Sequence, residues 1–221
     1  MNIIKGLITK DILQLKSYKR TLILYFIIFI SSSIIQEDSS SIIGMLIPLL
    51  TLIFGMMSIA TFSYDEMAKA DNYLLTLPLT KKDIVKAKYI LTISATVIGA
   101  ILSLVISTLT LIIFKRPIPN IEEMLPLVLG AILGIGFVEA VQIPSIYKYG
   151  VEKGRIQIFG ITIIIAFAIG IIVHIGEKIS INMNGILDII SKFFPVFLIL
   201  VIALIYFISY KISCRIYMKK K

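Results

Sequence analysis

The stretch Asp65–Lys88, DEMAKADNYLLTLPLTKKDIVKAK, is the longest run of this chain that cannot sit in lipid, and it lies between two runs that can sit nowhere else. Asp65 to Leu75 has the composition of a helix, with the carboxylates Asp65, Glu66 and Asp71 early in it. Leu77-Pro78 ends that helix, because proline lacks a backbone donor and biases the residue before it away from helical angles. Thr80-Lys81-Lys82-Asp83 has the spacing of a capping box, in which the Thr80 hydroxyl accepts from the Asp83 amide while the Asp83 carboxylate reaches back. A second helix is expected to start there and run through Lys86 and Lys88 straight into the next apolar run. Helix, proline knuckle and capped helix make a shaped polar surface, not a slack linker.

Composition names the solvent. The chain has 221 residues, 58% of them hydrophobic, with a mean hydropathy of +0.99. A soluble domain averages about 45–50% apolar residues even with glycine counted, and a core of this size could not hide the excess. Six lipid-compatible runs stand at about 21–35, 42–64, 89–114, 125–147, 156–175 and 193–210. A span needs ~20 mostly apolar residues, so the first run is short unless extended through Tyr18 and the flanking serines. No run alternates with a period of two, which argues against a membrane β-barrel. The expected architecture is all-α, in one transmembrane domain over 1–221. It comprises an interfacial helix over 1–20, spans one and two over 21–64, and the polar element 65–88. Spans three and four follow over 89–147, then a second loop 148–155, spans five and six over 156–210, and a basic tail 211–221.

Orientation follows from the loops. Residues 1–20 carry five Lys and Arg, 65–88 five, 148–155 three and 211–221 five. The alternate loops carry none at 36–41, two at 115–123 and two at 176–192. Positive charge is retained on the cytoplasmic side, so both termini and the Asp65–Lys88 element are expected inside the cell. The net charge of +9 is thus spread over four cytoplasmic edges, where anionic headgroups account for it. No basic patch is interleaved with aromatics, so nucleic acid is not an expected partner.

Within 2–17, Ile4, Leu7, Ile8, Ile12 and Leu15 fall on one side of a helix, with Lys5, Thr9 and Lys16 roughly opposite and Asp11 and Gln14 intruding. A basic amphipathic helix of this kind is expected to lie in the membrane interface. In the last outer loop, Ile179 to Phe194 is half apolar and ends at Pro195, the pattern of a short helix on the outer leaflet before the sixth span. Gly130, Ala131, Gly134 and Gly136 in span four permit close helix contact. Pro48 and Pro144 can kink their spans.

Catalytic and metal-binding motifs are missing from the sequence. It contains no GxxxxGK[ST] loop, no HExxH and no GxSxG. Gly150-Val151-Glu152-Lys153-Gly154-Arg155 lacks the preceding strand and the Lys-Ser/Thr pair that hold a nucleotide phosphate. A single cysteine, Cys214, excludes an internal disulfide. The single histidine, His174, falls at the outer end of span five, where a solvated imidazole is expected. One acid lies at depth: Glu139, with Gln142 three residues on as a hydrogen-bond neighbour. A charged residue at a helix centre costs roughly 2.5–3.5 kcal/mol on insertion scales. Two roles therefore stay open for it, an interhelical hydrogen bond or the lining of a substrate path.

Taken together, these features resemble the permease subunits of ABC-2 type exporters over nearly the whole chain. Two stretches carry the likeness locally. Glu66 and Tyr73-Leu74-Leu75-Thr76-Leu77-Pro78-Leu79-Thr80-Lys81-Lys82-Asp83-Ile84-Val85 resemble the LP-(V/L)-(S/T)-(R/K) coupling region of small ABC-2 permeases. Pro144-Ser145-Ile146-Tyr147-Lys148-Tyr149-Gly150-Val151-Glu152-Lys153-Gly154-Arg155 is similar to their second cytoplasmic loop. Within the family the chain is most similar to the compact permeases that include phenol-soluble-modulin exporter subunits. Family members often carry Trp near Tyr73, and this chain has no tryptophan.

The resemblance implies that Glu66, Asp71, Tyr73, Leu77, Pro78, Lys81, Lys82, Asp83 and Lys86 form the element that docks on a separate ABC ATPase. Tyr147, Lys148, Glu152, Lys153 and Arg155 would belong to the second cytoplasmic loop, and Glu139 with Gln142 would be candidates for the substrate path. It implies two ATPase copies, a second identical or homologous permease, and a bacterial cell membrane. ATP and Mg would sit on the ATPase, and this chain would bind no cofactor, hold no metal and catalyse nothing itself. The expected function is export of an amphipathic or hydrophobic substrate, a cytolytic or antimicrobial peptide by resemblance. A reading from another class is an ATP-independent membrane protein. A secondary transporter should show paired broken helices or a second intramembrane acid, whereas a bacteriocin-immunity-type protein would bind a toxin through its outer loops.

Overall fold

In the computed structural model of the protein, residues 3–34, 36, 38–74, 76–157, 160 and 184–219 are described, and every regular element among them is helical. The order is α1 (Ile3–Leu15), a 3-10 turn (Lys16–Tyr18), α2 (Lys19–Ser32), α3 (Ser39–Met67), α4 (Ala70–Leu74), α5 (Lys81–Ile113) and α6 (Ile121–Tyr149). Helical residues 151–157 follow as α7, and α8 is Asn184–Lys219. Among the described residues, α3, α5, α6 and the Ile199–Lys219 part of α8 are long and apolar enough to cross a membrane. The described residues are thus those of an all-helical, membrane-spanning chain. With 14 residues, α2 is ~21 Å long, short of a ~30 Å hydrocarbon core. Most of the expected fifth span, with His174, lies outside the described residues.

The bundle is held by close backbone approach and small hydroxyls, as expected where lipid removes the hydrophobic force between helices. A Cβ at Gly55 of α3 would stand 2.5 Å from Glu139 Oε1 and 2.8 Å from Ile135, and one at Gly99 of α5 would collide with Phe54. Along α5 the buried face is a stripe of Thr92, Thr96, Ser103, Ser107 and Thr110, each returning its hydroxyl to a carbonyl of its own helix. Ser103 also meets Thr51 of α3 at 3.1 Å.

The small residues of span four divide differently from expectation. Gly136 touches Tyr206 and Ala131 is buried, but no atom comes within 4 Å of a Cβ built at Gly130 or Gly134. Those two glycines open onto an apolar groove with Pro48, Leu52 and Pro126. Both α3 and α6 continue through their internal prolines.

Three other expectations are corrected. The inward face of α1 carries Leu7 and Asp11, while Ile12 is 54% exposed; Asp11 turns inward because its charge partners lie there. The helix α8 runs from Asn184 through Pro195 to Lys219 without a break, so the expected short helix does not end at Pro195; its first residues, 179–183, lie outside the described residues. The stretch 211–219 is no loose tail, because Ser213, Cys214 and Tyr217 are buried against the bundle.

Candidate functional site

The Asp65–Lys88 element keeps its expected order but shifts its first boundary. Asp65 and Glu66 belong to the last turn of α3 itself, which ends at Met67. The break comes at Lys69, whose φ of 48° is left-handed. The short α4 and the turn around Leu77-Pro78 then lead to Thr80. There the capping box forms as read, with Asp83 N 3.2 Å from Thr80 Oγ1 and Thr80 N 3.1 Å from Asp83 Oδ2.

Leu74 is buried, and Leu77 and Leu79 pack half-buried on the same cluster of Phe62, Ile84, Val85 and Ile146. The knuckle is therefore clamped from inside. Outward it presents Tyr73, 67% exposed, and Met67, 82% exposed, with Pro78, Lys82 and Lys86 also exposed. Lys81 lies 6.0 Å over the Tyr217 ring. The side chain of Asp71 lies outside the described residues.

The second predicted stretch meets the first. Tyr147 packs edge-on against Phe62 at 5.5 Å and beside Tyr217 at 5.2 Å, and Lys148 covers the Tyr149 ring at 4.7 Å. Residues 148–155 are not a loop: only Gly150, with φ 84°, departs from helix. That left-handed angle suits glycine, and a Cβ there would stand 3.1 Å from Glu66 Oε1. Glu66 Oε2 accepts the Val151 amide at 2.9 Å, capping the first turn of α7, where amides lack helical partners and anions are favoured. One carboxylate thus joins two elements 85 residues apart. Arg155 donates to Ser63 Oγ at 2.8 Å, and Glu152, Lys153 and Arg155 face outward. A cavity of ≈ 100 Å³ lies between the two stretches, lined in part by Phe62, Asp65, Glu66, Lys88, Tyr147 and Gly150.

Beside this cavity stands a charge cluster that the sequence reading missed. Lys88 Nζ is 3.0 Å from Asp11 Oδ1 and 2.7 Å from Asp65 Oδ2; Lys10 Nζ is 2.6 Å from Asp65 Oδ1 and 3.1 Å from Asp11 Oδ1. Gln14 donates to Asp65, and Lys88 also donates to Thr61 and sits 4.9 Å over the Phe62 ring. Two cations and two carboxylates balance, so a neutral cluster ties α1 to the ends of α3 and α5. The signal available was Asp11 and Gln14 on an apolar face: polar residues at inward positions need partners.

Glu139 is fully buried. Thr96 of α5 donates to it at 2.7 Å and Tyr206 of α8 at 2.8 Å, with Gly55 of α3 at its edge. The structure therefore places it in an interhelical hydrogen-bond hub. Gln142 is buried, but its Oε1 has no partner among the described residues, and the bonds to Glu139 come from Thr96 and Tyr206 instead. Nearby, Tyr89 meets Ser209 at 2.6 Å and Ser213 at 2.8 Å, and Ser209 bonds the Ala140 carbonyl. These bonds fasten α8 to α5 and α6. Among the described residues no group of His, Cys, Asp and Glu is arranged to hold a metal.

Compared with known proteins, residues 6–218 match the family model described as ABC-2 family transporter protein. No curated protein and no solved structure matches the chain.

Proposed function

The chain belongs to the ABC-2 family of transporter proteins, and from that premise we propose that it is the permease subunit of an exporter driven by ATP hydrolysis on a separate ABC ATPase. Family membership makes it a membrane-spanning transporter permease that works with such an ATPase. The finer reading is six spans with both termini cytoplasmic, a second identical or homologous permease, and two ATPase copies. Its cargo is an amphipathic or hydrophobic molecule, with cytolytic or antimicrobial peptides as the leading class. The charge distribution supports the orientation, with eighteen of 22 Lys and Arg on the four edges assigned to the cytoplasm.

One observation carries the coupling role. Tyr73 and Met67 stand exposed beside a knuckle whose Leu74, Leu77 and Leu79 pack inward. Exposed apolar side chains on a lysine-rich segment suit a protein partner, with the aromatic as the anchor. A push on α4 reaches α3 across Lys69, α5 through the capping box, and α7 through Glu66.

The test is co-expression with the ATPase encoded beside this chain, measuring its retention and turnover in nanodiscs. Tyr73→Asp combined with Met67→Asp should weaken retention at least tenfold, since a central anchor contributes about 2 kcal/mol or more. Leu77 is the poorer probe, because it also packs inward. If the unmodified chain retains and stimulates no ATPase, the exporter reading fails and an ATP-independent function takes its place.

A further inference from the structure

Between α2 and α3 runs a groove of ≈ 440 Å³. Tyr25 and Phe29 line one wall, Leu52 and Met56 the other, and Tyr18 and Arg155 close one end. No acidic residue is among the described residues that line it. The α3 wall extends from Leu49 to Ala60, ~16 Å along the helix axis. That is about half of a ~30 Å hydrocarbon core, the depth of a single leaflet. Arg155 stands at the polar end, where it donates to Ser63, three residues beyond Ala60. A guanidinium has five N–H donors in a fork that suits phosphate, and the Ser63 bond engages one.

We infer that this groove holds one anionic phospholipid of the leaflet at the basic end, with its phosphate on Arg155 and an acyl chain lying between Tyr25 and Leu52. Three features favour this occupant. The groove is one leaflet deep, its walls are apolar, and the one charge among its described lining residues is positive and stands at headgroup depth, where basic residues select anionic lipid. The inference holds for this chain by itself, whether or not an ATPase is bound.

The test is native mass spectrometry of the full chain, released from micelles containing equal amounts of dioleoylphosphatidylglycerol and dioleoylphosphatidylcholine. The wild type should retain the anionic lipid preferentially. Arg155→Gln should lower that retention roughly fivefold, the contribution of one basic residue at a membrane surface, while Arg155→Lys keeps most of it. Leu52→Trp, which fills the groove, should lower retention of both lipids, and Lys115→Gln, at a position not among the lining residues, should change nothing. Thermal unfolding checks each variant, and the exposed Arg155 decides the matter even if Leu52→Trp misfolds. Equal retention of both lipids by the wild type overturns the proposal, as does unchanged anionic-lipid retention in Arg155→Gln. Displacement of the lipid by an amphipathic peptide, with Arg155→Gln indistinguishable from wild type, would instead assign the groove to cargo.

Discussion

Asp11, 1% exposed on the inward face of α1, is stable there only because Lys10 and Lys88 reach it. Removing one member of a buried charge set leaves its partner uncompensated, at a cost of roughly 3–5 kcal/mol, whereas replacing a pair by apolar residues of similar volume is often neutral. Asp11→Ala should therefore lower the unfolding temperature of the detergent-purified chain sharply. Asp11→Leu with Lys88→Met should recover most of the loss, because Lys10 and Asp65 remain as a balanced pair. Similar unfolding temperatures for the single and double variants would mean that the cluster does not act as a charge-balanced unit. Glu139 follows a different logic. Glutamine keeps an acceptor for Thr96 or Tyr206, so Glu139→Gln should fold with a loss of about 1 kcal/mol. Export and ATPase stimulation should both persist; loss of export alone would return Glu139 to the substrate path.

At the scale of the elements, the start of α7 depends on a distant residue. Glu66 accepts the Val151 amide, and loss of an N-terminal cap costs about 0.5–2 kcal/mol. In Glu66→Ala, hydrogen exchange over residues 147–157 should quicken while α3 stays protected. Thr80→Ala should loosen the start of α5 by a similar amount, since the capping box is local. If exchange at 147–157 is unchanged by Glu66→Ala, the carboxylate does not hold the two elements together. The helix α6 adds a second case. The spacing of Gly130 and Gly134 reads as a packing motif, but the close contacts fall at Gly55 and Gly99. A glycine pair permits approach without specifying which neighbour arrives.

At the scale of the whole molecule, the charge asymmetry yields a direct prediction about orientation. Cys214 is buried, so added cysteines can be labelled over a low background. In intact cells a membrane-impermeant maleimide should label Arg116→Cys and spare Lys82→Cys, with Lys82→Cys reacting only after permeabilisation. The reverse pattern would invert the topology and place the knuckle where no cytosolic ATPase reaches it. The same asymmetry fits the position of the neutral cluster. Lys88 is spent on Asp11 and Asp65, while Lys82 and Lys86 remain exposed on the same edge.

Sequence alone determined the solvent, the helical class, the knuckle with its capping box, and the family. Each is a local or summed property: hydropathy over ~20 residues, proline geometry, and a hydroxyl and carboxylate three positions apart. Tertiary structure decided everything that joins distant residues. It turned Asp11 inward onto Lys88, carried Glu66 to Val151, made Thr96 and Tyr206 the partners of Glu139, and left Gly130 and Gly134 facing an open groove. The reason is physical. In lipid the apolar faces of a helix are nearly equivalent, so periodicity says little about which face turns inward. Packing and the need to pair buried polar groups make that choice, and their partners lie tens of residues away along the chain.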